Sequence, residues 1–218
     1  MEHYDIVVIG SGSGNTILDE DFADRRAAII DSGAFGGTCL NVGCIPTKMF
    51  VLPADFASSP SEAVRVGVDL QFRGASFASI RDRIFGRIDS ISKAGLSYRQ
   101  GLDNIDVYTG EAAFIDAHTL EVGGRCITAD QIVLAAGSRP RVPDVPGLDD
   151  PSMAGLIHTS DTIMRLAELP QRLVDPWWRA YRGGVRSHLL WARVPGDRYQ
   201  PFWPDAASRG SRDLAALH

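Results

Sequence analysis

Ile6-Val7-Val8-Ile9-Gly10-Ser11-Gly12-Ser13-Gly14-Asn15 opens with four consecutive β-branched residues and then breaks into glycine and serine. A short apolar run without alternation is what a strand shows when both of its faces are covered, as in a parallel sheet. The glycines that follow read as a tight turn into a helix. Thr16 to Ala23 is a short helix candidate, and Ala27-Ala28-Ile29-Ile30 is a second strand that ends in Asp31. Strand, glycine turn, helix and strand in that order predict a β-α-β unit of an α/β fold.

The unit has the physical logic of a dinucleotide site. Gly10 permits the tight turn, Gly12 lets backbone approach a pyrophosphate, and a helix N-terminus attracts phosphate charge. Asp31 is placed to accept from a ribose hydroxyl. Asn15 stands where the pattern has its third glycine. A glycine-rich loop alone means only a turn. The covered strand before it and the acid at the end of the next strand favour a nucleotide.

Just beyond Asp31 lies Gly36-Gly37-Thr38-Cys39-Leu40-Asn41-Val42-Gly43-Cys44-Ile45-Pro46-Thr47-Lys48, which holds two of the three cysteines of the chain. A bridge over so short a loop restrains little of the unfolded chain and makes a poor staple. It makes a good redox switch. Pro46 is tolerated in the first turn of a helix and would put Cys44 near the helix N-terminus, where the dipole and backbone N–H groups favour thiolate over thiol. The alternative reading is two reduced thiols packed as small hydrophobes. Cys126 is the only other thiol, and no cluster with ligand spacing accompanies the pair, so no metal site is expected.

The 218 residues carry a formal charge of -5 and are 44% apolar, enough for a core. The acidic balance argues against nucleic acid or an anionic membrane as partner. Met1-Glu2-His3-Tyr4-Asp5 is not a basic segment leading into an apolar stretch, and no apolar run reaches membrane-spanning length. A cytoplasmic location is expected, where a bridge between nearby cysteines is usually catalytic or sensory.

After Lys48, Met49 to Leu52 and Ala54 to Ala57 read as a helix interrupted or bent near Pro53. Phe77 to Gln100 is a longer amphipathic helix with Ile80, Ile84, Ile88 and Ile91 on its apolar stripe. From Ile105 the period shortens to β runs at Asp106 to Tyr108, Ala112 to Ile115, Thr119 to Val122 and Arg125 to Thr128, with turns at Asp116-Ala117-His118 and Gly123-Gly124. These read as a β-meander inserted in the α/β domain. Gln131 to Ala136 is a further buried strand running into Gly137-Ser138, and Arg139 to Gly147 is a Pro-rich connector. His3, His118, His188 and His218 lack an acidic partner at a recognisable spacing and read as surface residues.

Together these segments resemble the flavin-dependent pyridine nucleotide-disulfide oxidoreductases, the group that contains glutathione reductase and dihydrolipoamide dehydrogenase. Gly36 to Lys48 carries the general likeness. Gly10 to Glu20, Lys48 to Val51, Phe85 to Asp89 (Phe-Gly-Arg-Ile-Asp) and Leu134 to Pro140 are similar to the branch that reduces mycothione, the disulfide of mycothiol. The likeness runs from about Tyr4 to Val174. It implies a Rossmann-like FAD-binding domain with FAD held by Gly10, Ser11, Gly12, Asn15, Asp31, Gly37, Thr38, Cys44, Lys48 and the second small-residue turn Ala136-Gly137-Ser138. It further implies Cys44 as the thiol facing the flavin and Cys39 as the outer thiol that attacks the substrate disulfide. Electrons would pass from NADPH to FAD, to the Cys39–Cys44 bridge, and on to a small-molecule disulfide, mycothione on this likeness. A dihydrolipoamide dehydrogenase-like reductase, and a non-catalytic nucleotide-binding remnant, are the competing readings.

The expected organisation is an FAD-binding portion over 1–147 and a connector over 148–174, where His158 to Pro170 resembles the link into an NADPH domain. Past Val174 the composition changes: all four tryptophans and seven arginines follow, while Lys, Glu, Ile, Thr, Asn and Cys vanish. Trp has one codon, so Trp177-Trp178-Arg179 read one base forward must encode Gly-Gly, and the following codons permit a glycine turn of the NADPH-binding kind. Residues 175–218 are therefore expected to be an irregular, disordered, out-of-frame tail. On this reading the NADPH domain and the interface domain that forms the family homodimer are missing, and the polypeptide has little NADPH-dependent turnover.

Overall fold

The computed structural model describes residues 1–144 and 146–170. The expectations for 171–174 of the connector and for the tail at 175–218 lie outside them. The described chain falls into two units, one of Met1–Met49 with Ser79–Leu166, the other of Phe50–Ala78 with residues 167–170. The first contains the sheet. In the second, the Phe50 and Phe77 rings stack at 6.0 Å.

Six strands form the sheet: β1 (Glu2–Ile9), β2 (Ala27–Asp31), β3 (Ile105–Thr109), β4 (Ala112–Phe114), β5 (Thr119–Val122) and β6 (Arg125–Leu134), in the spatial order β3-β2-β1-β6-β5-β4. β1 is central and pairs in parallel with β2 on one side and β6 on the other, with Val8 opposite Ile29 and Val133. Val7, Val8, Ala27, Ala28 and Ile29 are fully buried, as expected of an apolar run covered on both faces. One face gathers Ile6, Val8, Leu18, Ala27, Ile29, Phe35 and Ile105; the other gathers Tyr4, Val7, Ala28 and Ile30 with Leu120 and Val122 of β5.

Three helices follow in chain order: α1 (Gly37–Asn41), α2 (Cys44–Ala63) and α3 (Phe77–Gln100). In α3 the buried stripe is Ile84, Phe85, Ile88 and Ser92, whereas Ile91 is exposed, so the stripe is rotated from the isoleucine series by about one position. Each fully buried isoleucine contributes roughly 1.5–3 kcal/mol over an exposed one.

The α/β, Rossmann-like class is borne out, with four local corrections. Thr16 to Ala23 does not form a helix. It folds as two 3-10 turns, Ser13–Ile17 and Glu20–Phe22, the second capped by Asp19 accepting from Asp21 N–H at 3.1 Å. Pro53 does not interrupt α2, which runs continuously past it and Pro60. The segment at 106–108 is not part of the meander. As β3 it pairs in parallel with β2 at the far edge, Ile29 opposite Val107, because α3 carries the chain back to the start of the sheet. The runs at 125–128 and 131–134 are one strand, β6, whose first residues, 125–128, pair with β5 while 127–134 lies along β1. The meander is thus β4-β5-β6. Its last hairpin closes through Gly123 (φ 58°) and Gly124 (φ 75°), the paired positive φ values that a two-residue turn of this hand requires.

Candidate redox and nucleotide site

The parallel pairing puts the ends of β1, β2 and β6 side by side, so that Gly10, Asp31 and Ala135 emerge together. Gly10 N–H donates to Ile30 O at 2.7 Å and Ala135 N–H to Ile9 O at 2.9 Å. Gly10 has φ 114°, and a Cβ there would lie 2.2 Å from Ala135 O and 3.3 Å from Ala136 N. Only glycine lets the turn cross the end of β6. Gly14, absent from the expected set, makes the next close approach: a Cβ on it would sit 2.2 Å from Ala135 Cβ. The helix-strand contact assigned to the third glycine position is therefore made one residue earlier, and Asn15 is left with Oδ1 buried and without a partner. The turn is held from outside by Arg99 of α3, which donates to Asn15 O at 2.9 Å and Leu18 O at 2.8 Å.

Asp31 closes the cluster. Its Oδ2 accepts from Ser11 N–H at 2.7 Å and from the Ser11 hydroxyl at 2.5 Å, and its Oδ1 accepts from Gly33 N–H at 2.8 Å. Gly36 N–H donates to Ser11 Oγ at 2.9 Å and brings in the cysteine loop.

Gly36, at φ 104°, is the N-cap of α1, which carries Cys39 at its third residue; Cys44 is the first residue of α2. Thr47 N–H donates to Gly43 O at 3.1 Å, so α2 starts as the Pro46 position implied. Between the helices, a Cβ on Gly43 would lie 2.9 Å from Thr38 O and 3.3 Å from Cys39 Cα, which is how the start of α2 reaches Cys39. Both thiols are free and exposed. The Cys39 thiol is pushed up first by its hydrogen bond to the Cys44 thiol and then by burial, while the N–H groups of Cys44 and Ile45 pull it the other way. Amides at the start of α2, expected beside Cys44, thus also face the Cys39 sulfur.

Asn41, which the sequence reading passed over, is buried and spreads its amide across Ala34 O, Phe35 O and Gly37 O at 3.0–3.1 Å. Ser92 of α3 donates to the same Phe35 carbonyl at 2.6 Å. A buried polar residue inside a cysteine loop was the available signal for Asn41; Ser92 and Arg99 had none, since each acts on a segment more than fifty residues away.

Of the expected residues, Gly10, Ser11, Gly12, Asp31, Gly37, Cys39 and Cys44 form one connected cluster, with Asn15 in its turn. Ala136 abuts Gly10. Thr38 and Lys48 are exposed on the cysteine helices, and Gly137 and Ser138 are exposed beyond β6. Cys126 stands near the start of β6, at the opposite end of the sheet from Gly10, and does not join the pair. Among the described residues no group of three or more His, Cys, Asp or Glu could hold a metal, and no helix is long and apolar enough to cross a membrane.

Comparison with known proteins gives a consistent result. The family model described as pyridine nucleotide-disulphide oxidoreductase matches residues 4–174. The chain is 48% identical over 183 residues to mycothione reductase of Mycobacterium tuberculosis, covering 80% of this chain and 38% of that protein. It is 28% identical over 172 residues to mercuric reductase of Staphylococcus aureus, covering 78% and 31%. Among solved structures, the HOCl-induced flavoprotein disulfide reductase RclA of Escherichia coli superposes with a TM-score of 0.63 at 28% identity, over 77% of this chain and 35% of that one. The chain spans less than two fifths of the length of each of these proteins.

Proposed function

The chain belongs to the pyridine nucleotide-disulphide oxidoreductase family, and from that premise we propose that Cys39 and Cys44 are the redox-active pair of a flavin-dependent disulfide reductase acting on mycothione. The observation that carries the reading is the pair itself: two exposed thiols on helices that meet at Gly43, where a Cβ would lie 3.3 Å from Cys39 Cα, with the first of these helices seated against the glycine turn. The 48% identity to a mycothione reductase, against 28% to a mercuric reductase, supports mycothione as the disulfide.

The residues at the strand ends fit FAD. Asp31 offers a carboxylate at the end of β2, as an adenosine ribose requires. Gly12 caps its 3-10 turn with no side-chain hydrogen bond of its own, and its backbone lies against Gly37, so a pyrophosphate would be approached by the backbone of the turn and of the cysteine loop together. Asn15 Oδ1 is a buried polar atom in the same turn with no partner in the protein. Gly10, Ser11, Gly12, Asn15, Asp31 and Gly37 would hold the nucleotide half, and Thr38, Cys44, Lys48 and Ala136-Gly137-Ser138 would lie toward the flavin. A bound flavin supplies the electron pair that keeps the cysteines reduced; NADPH as its source and a homodimer as its setting are proposed for the full-length protein.

The chain's own part is disulfide exchange. Cys39 attacks as thiolate one sulfur of mycothione, breaking its S–S bond and forming a mixed disulfide; the sulfur that leaves takes up the proton Cys39 gave to solvent and departs as one mycothiol. The N–H groups of Cys44 and Ile45 are positioned to stabilise the anion on Cys39. Cys44 then loses its proton and attacks Cys39 in the mixed disulfide, breaking the Cys39–mycothiol S–S bond; the second sulfur leaves, takes up that proton as mycothiol, and the Cys39–Cys44 bridge remains. The test needs no nicotinamide: chain reduced by a chemical dithiol and freed of it is mixed with mycothione. The Cys39–Cys44 pair of the wild type is expected to release two mycothiols, whereas in Cys39→Ser the exposed Cys44 can release at most one and stays in a mixed disulfide. Equal release from both would end the proposal, and lipoamide run in parallel separates the dihydrolipoamide dehydrogenase-like reading.

A further inference from the structure

Ser11 is 1% exposed and lies between the glycine turn and the cysteine loop. Its N–H and its hydroxyl both donate to Asp31 Oδ2, at 2.7 and 2.5 Å, and its oxygen accepts from Gly36 N–H at 2.9 Å. A carboxylate has about four acceptor positions. Ser11 occupies both on Oδ2 and Gly33 N–H occupies one on Oδ1, so a single position remains, on Oδ1.

We propose that Ser11 is a positioning residue that turns Asp31 so that its remaining acceptor position takes one hydroxyl, and only one, of an adenosine ribose, while holding Gly36 and the Cys39 helix to the same turn. The proposal rests on the nucleotide-site reading above and adds to it the residue that orients the carboxylate and the selectivity that follows. With alanine at this place Oδ2 keeps only the backbone donor, and Gly36 N–H loses its partner. The carboxylate can then rotate and offer an acceptor to either hydroxyl.

The experiment is calorimetric titration of the full chain with ADP, 2′-deoxy-ADP and 3′-deoxy-ADP, for wild type, Ser11→Ala and Ser11→Thr, with thermal unfolding of each. In the wild type, removal of one hydroxyl costs about tenfold in affinity, the size of a hydrogen bond to a charged group, and removal of the other costs little. Ser11→Ala binds ADP more weakly and treats the two deoxy nucleotides nearly alike; Ser11→Thr, which keeps the hydroxyl, restores the preference. A Ser11 that only supports the fold lowers the melting temperature of the alanine variant but leaves the preference unchanged, and that result overturns the proposal. Equal sensitivity of the wild type to both hydroxyls overturns it too, so the test stands even if the alanine variant does not fold. ADP that fails to bind the wild type removes the nucleotide-site reading and this inference together, whereas ADP bound with an unaltered preference removes this inference alone.

Discussion

Gly37 and Gly12 meet through their backbones: a Cβ placed on Gly37 would lie 2.6 Å from Gly12 Cα and 3.1 Å from Gly12 N. The cysteine loop and the glycine turn are therefore packed as one body, and no side chain at Gly37 can be accommodated without parting them. Gly37 also has φ 67°.

Gly37→Ala is expected to cost about 2–4 kcal/mol, combining left-handed strain with overpacking. Gly123→Ala, at φ 58° with nothing within 4 Å of its Cβ position, pays only the strain, about 1 kcal/mol. Urea unfolding of the two variants side by side measures the difference. Equal losses would show that the contact with Gly12 contributes nothing.

The Cys39 thiol is held up mainly by its hydrogen bond to Cys44. In Cys44→Ala that hold disappears while the Ile45 N–H and the backbone of residue 44 still point at the sulfur. Cys39 should therefore ionise at lower pH in Cys44→Ala than in the reduced wild type. The pH dependence of its alkylation by iodoacetamide, followed by mass spectrometry of the Cys39 peptide, reads the shift; a midpoint that stays or rises contradicts the assignment.

Arg165 seats its guanidinium 3.9 Å from the centre of the Phe85 ring and 2.7 Å from Asp89 Oδ1, which lowers the Asp89 carboxyl below the usual carboxylate range. A depressed folded-state pKa adds stability above the unfolded value, about 3.9, and loses it as pH falls through the folded one. With side chains 39% and 45% exposed, solvent screening reduces the pair to about 0.5–1 kcal/mol. Asp89→Asn should cost that amount at pH 7 and nothing once the pH is below the folded Asp89 value. A cost independent of pH would mean that the ion pair is not its source.

Tyr4 is fully buried, and its hydroxyl lies 2.6 Å from Tyr108 Oη, 2.7 Å from Asp106 Oδ2 and 2.8 Å from Glu2 Oε2, with Arg26 over its ring. Burial, followed by these neighbours, pushes its phenol far up. Tyr4→Phe strips the shared partner from the strand starts of β1 and β3 and is expected to cost about 1–3 kcal/mol. Tyr98→Phe, on the exposed face of α3, should stay within about 0.5 kcal/mol. Chemical denaturation of both variants decides it.

Much of this could be read from the order of residues. The covered strands at Ile6 and Ala27, the glycine turn, the acid at Asp31 and the start of α2 at Cys44 are local patterns, set by apolar period, by positive φ and by the ring of Pro46, and each survives in the folded chain. What the sequence left open were distances between segments far apart in the chain. Strand β3 has the same alternation wherever it pairs, so only the path of α3 placed it beside β2. The 3-10 turns replaced a helix after Gly12 because Gly14 packs against Ala135 and Arg99 takes up the carbonyls of Asn15 and Leu18, contacts made across more than eighty residues. Ser11 is an ordinary turn residue by composition, and it became the link between Asp31 and Gly36 only when three backbone segments met. Local propensity acts within a few residues, whereas hydrogen-bond partners of buried groups are chosen by the packing of the whole sheet.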